Sequence, residues 1–311
     1  MNVLITGANG FVGRYLCNDL SEHFKLRCSV RNSVAVGDGM FAVGDIDGST
    51  DWSGALAEVD AVVHTAARTH IMDELSSDPL AKYRRVNVDG TLNLARQAAE
   101  AGVKRFIFIS SIKVNGEQTP LGQPFTAEDT PAPEDAYGIS KWEAEQGLHQ
   151  LACETGMEVV IIRPPLVYGP GVKGNFSSMI KLVAKGLPLP LGAINNQRSL
   201  VAIDNLVDLI ITCISHSAAA NQVFLAGDGQ DLSTTELLRG VARAMGKPSR
   251  LIPVPASLLM LAATLLGKKS VAQRLLGSLQ VDISKARHLL GWEPPITVEE
   301  GLRRCFEYQD K

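Results

Sequence analysis

Short apolar runs alternate with longer amphipathic stretches through the first half of the chain. Val3-Leu4-Ile5, Leu26–Val30, Phe41–Val43, Ala61–His64, Arg105–Ile109 and Glu158–Ile162 are the apolar runs. Most show no in-and-out alternation, the pattern of strands buried on both faces of a parallel sheet. Between them, Tyr15–Leu20 carries helical spacing, and Lys82–Ala101 and Ala136–Thr155 predict two long helices closed by Gly102 and Gly156. Strands alternating with helices at this pitch imply crossover connections and a parallel sheet. After about Gly169 the chain becomes richer in Pro and Gly and its elements shorten. The expected organisation is an α/β protein. Residues 1–168 form a doubly wound parallel sheet, and 169–311 form mainly a smaller C-terminal substrate-binding lobe, with some segments returning to the first domain.

Composition narrows this only by exclusion. At 311 residues, 45% hydrophobic and 20% charged, with a formal net charge of −3, the chain is an ordinary globular mixture with no basic run suited to nucleic acid. The longest apolar stretch, Ala256–Leu266, is too short to span a bilayer and lies between Pro253/Pro255 and Gly267-Lys268-Lys269. It reads as a buried or partner-facing helix, with peripheral membrane contact as the minor alternative. The apolar N-terminus is already the first strand, so no signal peptide is read there, and a cytoplasmic location is expected. Five scattered cysteines fit reduced thiols and show no metal-ligand spacing.

Chemistry first enters at the N-terminus. Gly7, Gly10 and Gly13 follow the strand Val3–Ile5 directly and open the helix at Tyr15. In that setting Gly7 permits the tight turn, Gly10 lets a pyrophosphate approach the backbone, and Gly13 lets helix and strand pack closely. The helix N-terminus offers free N–H groups to the phosphates, so Gly7, Asn9, Gly10, Phe11 and Val12 are expected to hold a dinucleotide on a Rossmann-like sheet. At the end of the second strand, an acidic residue would bond the ribose hydroxyls and repel a 2′-phosphate. This chain has Val30-Arg31-Asn32-Ser33 there. Arg31 brings a planar cation suited to phosphate, so NADP(H) is the preferred cofactor and NAD(H) the alternative; a merely solvated Arg31 is the competing view. Asp45 and Ile46, after the third strand, are expected to flank the adenine, although Asp45 could equally cap a helix.

Tyr137 and Lys141, four apart at the start of the second long helix, share one helical face. A nearby ammonium favours a phenolate, and the same lysine can hold the nicotinamide ribose. Ser111, where the strand Arg105–Ile109 ends in Ser110-Ser111, can hydrogen-bond a substrate oxygen. Together Ser111, Tyr137 and Lys141 would pass a proton to or from a carbinol while a nicotinamide exchanges hydride.

These motifs resemble the extended short-chain dehydrogenase/reductases, and the resemblance runs through nearly the whole chain. His64-Thr-Ala-Ala67 matches the family's loop beside the cofactor, implicating Ala66 and Ala67. Asn87 matches its structural asparagine, and Arg163-Pro-Pro-Leu-Val-Tyr-Gly-Pro170 the segment along the nicotinamide, implicating Pro164 and Val167. The second half resembles the branch acting on nucleotide-diphosphate sugars. The resemblance implies substrate contacts from Asn175 and Phe176, and a phosphate grip from Arg198. Arg274 could join Arg198 or be a surface arginine, and Asn175 could be a plain turn residue. Lys113 could approach the substrate or stay solvated, while His64 and His70 read as structural. Two departures, Asn115 in the segment after Ser111 and the missing acid after the second strand, resemble the bacterial reductases of UDP-4-keto-6-deoxy-N-acetylhexosamines, as does Gln273–Leu279. The expectation is therefore an NADPH-dependent C4 reductase serving surface-polysaccharide synthesis. The alternative is a UDP-glucose or UDP-N-acetylglucosamine 4-epimerase with tightly held NAD; a non-catalytic nucleotide sensor is remote. The resemblance also implies a homodimer through the helices beginning at Lys82 and Ala136.

Overall fold

The computed structural model describes residues 1–32, 39–69 and 78–307. Ser33 and His70, named above, lie outside these. Among the described residues the chain builds β1 (Asn2–Thr6), α1 (Phe11–Leu20), β2 (Lys25–Val30), β3 (Met40–Ala42), α2 (Ser53–Leu56), β4 (Ala61–His64) and α3 (Pro79–Arg84). A π-helical segment, Arg85–Gly90, leads into α4 (Thr91–Glu100), β5 (Arg105–Ile109), α5 (Ala136–Thr155), β6 (Glu158–Arg163) and β7 (Leu166–Tyr168). Then come α6 (Asn175–Ala184), β8 (Leu200–Ala202), α7 (Ile203–Ser215), β9 (Val223–Leu225), α8 (Thr234–Ala244), α9 (Ala256–Leu265), α10 (Lys269–Leu276), α11 (Ser284–Leu290) and α12 (Val298–Glu307).

Seven strands form one parallel sheet in the order β3-β2-β1-β4-β5-β6-β9, and β7 pairs with β8 in a small second sheet. This is the Rossmann-like α/β architecture expected. The apolar runs lack alternation because both faces are covered. In β1, Val3 and Ile5 pack into the layer with Leu16 and Leu20 of α1 and Leu206 and Ile210 of α7. Leu4, between them, packs into the opposite layer with Leu94 and Ala98 of α4 and Ala144 and Leu148 of α5. Phe106 and Phe108 of β5 alternate with Ile107 and Ile109 in the same way. Strand order reverses between β1 and β4, and the carboxyl ends of strands at such a switch point form a crevice for ligands. A third core gathers Tyr168, Phe176, Leu237, Leu238, Val241 and Leu302 from the later part of the chain. Late in sequence, α7 and β9 return to the main sheet.

Two elements differ from expectation. The helix expected from Lys82 to Ala101 starts earlier, at Pro79, and is π-wound over Arg85–Gly90. Ile46 lies where a Cβ on Gly90 would sit, 2.6 Å away. Asn87 also spends its side chain on other segments, as described below. Of the two expectations for helix α9, buried or partner-facing, the first fails, since it has no buried residue.

Candidate active site

Gly7 has φ +71°, and a Cβ there would meet the Ala66 backbone at 2.9 Å. A Cβ on Gly13 would lie 2.2 Å from the Gly7 carbonyl oxygen, so α1 packs on the β1 turn only because that position is bare. Gly10 caps α1, its N–H donates to the Gly7 carbonyl, and among the described residues no side chain caps the helix. The N–H groups of Phe11 and Val12 stand in that turn. Asn9 lies in the exposed turn between Gly7 and Gly10, and Ala66 and Ala67 lie across from it after β4. Pro164 and Val167 follow β6. The Pro164 carbonyl accepts from Ile112, and Gly169 approaches the Phe11 ring, so this segment closes against the start of α1. The cradle of bare backbone and an uncapped helix start fits a dinucleotide pyrophosphate.

Arg31, expected to meet the adenosine, is not a free cation. Its Nε lies 3.1 Å from the Asp45 carboxylate, both side chains being 76% exposed. The Asp45 backbone carbonyl also accepts from the Thr50 hydroxyl. Ile46 is half-buried against the sheet's second core layer.

The end of β5 separates two adjacent serines. Ser110 points inward, is buried, and donates its hydroxyl to Glu145. Ser111 is the half-exposed partner; its hydroxyl accepts from the Lys113 N–H at 3.3 Å as it caps a short 3₁₀ turn, Ile112–Val114. Tyr137 sits in the first turn of α5. Asp135 caps that helix, accepting from the Gly138 N–H at 2.7 Å. Lys113 clasps the same Asp135 and also Glu117. Lys113 is therefore a partly buried, ion-paired lysine. Burial works against its charge, but the two carboxylates outweigh burial and hold its pKa above the ordinary lysine value.

Lys141, one turn on, is almost fully buried. Its Nζ donates to the Ile109 carbonyl at 2.8 Å and lies 4.3 Å from the centre of the Phe108 ring. Burial pulls its pKa down to about 7, and Glu145 only partly opposes this. Tyr137 behaves contrary to expectation. Burial first, then the negative charge of Asp135 and the neighbouring Tyr83, raise its pKa above the tyrosine norm. The expected lowering by Lys141 fails because that ammonium is turned to the strand end.

Beneath this face lies a lock that the sequence did not reveal. Arg163, at the end of β6, grips Glu145 with Nε at 3.0 Å and Nη2 at 2.5 Å and donates through Nη1 to Asn115 at 2.9 Å. Both charged side chains are buried. Asn115 also donates to the Thr126 carbonyl. Asn87 ties three segments together: it exchanges hydrogen bonds with the Arg68 backbone and donates to the Ser140 hydroxyl at 3.0 Å, beside Lys141. His64 is held between the Thr6 and Thr91 hydroxyls and stacked on Phe108. Burial, then the Lys141 charge, press its pKa down to about 3, so it stays neutral and structural.

On the lobe side, Arg198 donates to the backbone carbonyls of Arg274 at 2.8 Å and Gly277 at 3.1 Å. Among the described residues no carboxylate pairs with it, and burial lowers its pKa. Arg274 lends its carbonyl to that contact while its own side chain is exposed. Asn175 begins α6, after Gly174 at φ +78°. Phe176 corrects an expectation: its ring is fully buried against Tyr168, with centroids 5.3 Å apart. Its side chain serves the lobe core, and only its backbone is left to meet a ligand.

The family model described as "NAD dependent epimerase/dehydratase family" matches residues 3–227. A Vibrio cholerae UDP-glucose 4-epimerase is 54% identical over 98% of this chain and 94% of its own length. An Escherichia coli O157:H7 enzyme, N-acetyl-alpha-D-glucosaminyl-diphospho-ditrans,octacis-undecaprenol 4-epimerase, is 30% identical over 99% and 95%. Among solved structures, the UDP-N-acetylglucosamine 4-epimerase of Bacillus cereus superposes with a TM-score of 0.80 at 21% identity, covering 98% of each chain. That of Thermotoga maritima UDP-glucose 4-epimerase with UDP-glucose gives 0.77 at 24% identity, covering 99% and 98%. The Vibrio relative overturns the reading as a C4 reductase of 4-keto-6-deoxy sugars. The structure shows why the sequence misled: Asn115, one of the departures behind that reading, is a buried partner of Arg163. The model match over most of the chain, the 54% identical relative and the glycine cradle agree, and the chain belongs to the NAD dependent epimerase/dehydratase family of NAD(P)-binding enzymes.

Proposed function

We propose that the protein is a 4-epimerase of a UDP-linked hexose, UDP-glucose or UDP-N-acetylglucosamine, that retains its nicotinamide cofactor through turnover. The observation carrying this reading is the 54% identity to a UDP-glucose 4-epimerase over nearly the whole chain. The arrangement of Ser111, Tyr137 and Lys141 suits the chemistry. NAD, when bound, supplies the hydride acceptor and donor for C4, and its cationic nicotinamide has the charge that lowers a nearby phenol's pKa. Tyr137 takes the proton from the C4 hydroxyl and returns it after the 4-keto sugar has turned its other face. Ser111 hydrogen-bonds the same oxygen, and Lys141 binds the nicotinamide ribose. Gly7, Asn9, Gly10, Phe11, Val12, Ala66, Ala67, Pro164 and Val167 hold the cofactor, with Ile46 against the adenine. Arg198, half-buried and without a carboxylate, grips the substrate diphosphate, aided by Asn175 and the first turn of α6.

NAD rather than NADP is the cofactor in this reading. Asp45 offsets the Arg31 charge, and a 2′-phosphate would meet a carboxylate there. The Escherichia coli relative favours a second reading of the carrier alone, in which the sugar diphosphate hangs on a polyprenyl chain. Incubating the protein with UDP-glucose and with UDP-N-acetylglucosamine, without added nicotinamide, tests the proposal. The expected result is the C4 epimer of one of them, with NAD(H) released on denaturation. No epimer from either substrate, together with stoichiometric NADPH consumption on a 4-keto sugar, would overturn it.

A further inference from the structure

Helix α9 presents much of its apolar surface to solvent. Leu258 and Leu261 are more than half exposed, Leu265 79% and Leu266 75%, and Ile252 and Val271 extend the patch on either side. Its main packing partner is α10. Such a patch on a water-facing helix marks an interaction surface.

The charges that flank it along the chain indicate what it meets. From Gly246 to Val281 the sequence holds five cations, Lys247, Arg250, Lys268, Lys269 and Arg274, and no Asp or Glu, in a chain whose net charge is −3. All five are exposed, and Lys268 and Lys269 stand in the turn between α9 and α10. A second copy of this acidic chain bringing the same face would set these cations against each other. An anionic lipid surface would meet both halves of the feature, with leucines among the acyl chains and lysines at the headgroups. Ten residues rise about 15 Å, half the hydrocarbon thickness of a bilayer, so the helix lies in the surface and does not cross it. Among the described residues no helix is long and apolar enough to span.

The surface adjoins the proposed diphosphate site. The α10 end supplies the Arg274 and Gly277 carbonyls that hold Arg198, and the Leu275 carbonyl accepts from Thr234. We propose that the α9–α10 hairpin docks the enzyme peripherally on an anionic bilayer, setting the Arg198 side of the site close to the membrane plane. The inference stands on this surface alone and does not depend on which sugar is epimerised.

Sedimentation of the full chain with phosphatidylglycerol/phosphatidylcholine vesicles tests it. The wild type is expected to pellet with these vesicles and to stay in the supernatant with pure phosphatidylcholine. Leu261→Ser/Leu265→Ser/Leu266→Ser should lower partitioning at least tenfold. Lys268→Gln/Lys269→Gln should lower it about twenty-five-fold, at roughly fivefold per cation. Turnover of a soluble UDP-sugar should not change in either variant. A wild type that stays in the supernatant with anionic vesicles would overturn the proposal. So would a serine variant that pellets as well as the wild type. An oligomer that light scattering shows falling apart in the serine variant would do the same, because the face would then be covered by a second copy.

Discussion

Two successive turns of α5 each bury a positive charge, and they treat it oppositely. At Glu145 the carboxylate receives the Arg163 guanidinium through paired hydrogen bonds, and Asn115 takes one of the remaining donors. At Lys141 the ammonium has a carbonyl and a ring face, and no carboxylate within salt-bridge distance among the described residues. The first charge is compensated and fixed. The second is held at a cost, which is why its pKa falls to about 7. A buried cation without a counter-ion is a mark of function more than of structure. The adjoining serines repeat the contrast: Ser110 completes the lock, while Ser111 is left half-exposed at the crevice.

If the lock is structural, breaking it should be the most damaging change. Glu145→Ala strands Arg163 in the core and should cost about 3–5 kcal/mol of stability, read from urea unfolding. A loss below about 1 kcal/mol would mean that water or another group satisfies the guanidinium. If the neighbouring turn is chemical, Tyr137→Phe should leave unfolding unchanged and lower kcat about 10²–10⁴-fold. Arg198→Ala reaches across to the lobe. It should raise KM about tenfold to a hundredfold for the sugar diphosphate, the scale of one charged hydrogen-bonding group, with little change in kcat. The last effect is a slope. The folded chain releases the Lys141 proton near pH 7, whereas the unfolded chain keeps it to about pH 10.4. The unfolded chain thus binds the extra proton in that window, and stability from this group rises with pH from about 7 to 10. Lys141→Met should therefore gain thermal stability over the wild type at pH 6 and lose that advantage by pH 10. An equal difference at both pH values would show that the buried ammonium carries no such cost.

Different features of the molecule were unequally legible for a related reason. The sheet and its glycine turn could be read because their signals are local: three glycines beside an apolar strand, or a tyrosine and a lysine four apart. The Arg163–Glu145–Asn115 lock joins residues up to 48 positions apart, and no spacing rule reaches that far. Asn115 instead looked like a specificity marker and helped to draw the chain toward a reductase. Phe176 read as a ligand contact because the family resemblance implied one beside Asn175; only packing shows its ring against Tyr168. Arg31 read as a phosphate anchor because Asp45, its partner, comes fourteen residues later. The π-wound turn at Asn87 depends on bonds to the Arg68 backbone and Ser140, and helical periodicity carries no trace of it.

The central claim is that hydrogen leaves C4 and returns to it within one enzyme. Incubating the protein with UDP-hexose deuterated at C4, without added cofactor, and following both epimers by NMR tests this most directly. The account predicts that both epimers keep the deuterium at C4 while they interconvert. Loss of the label to solvent, or interconversion only when external nicotinamide is supplied and exchanges the label, would contradict it.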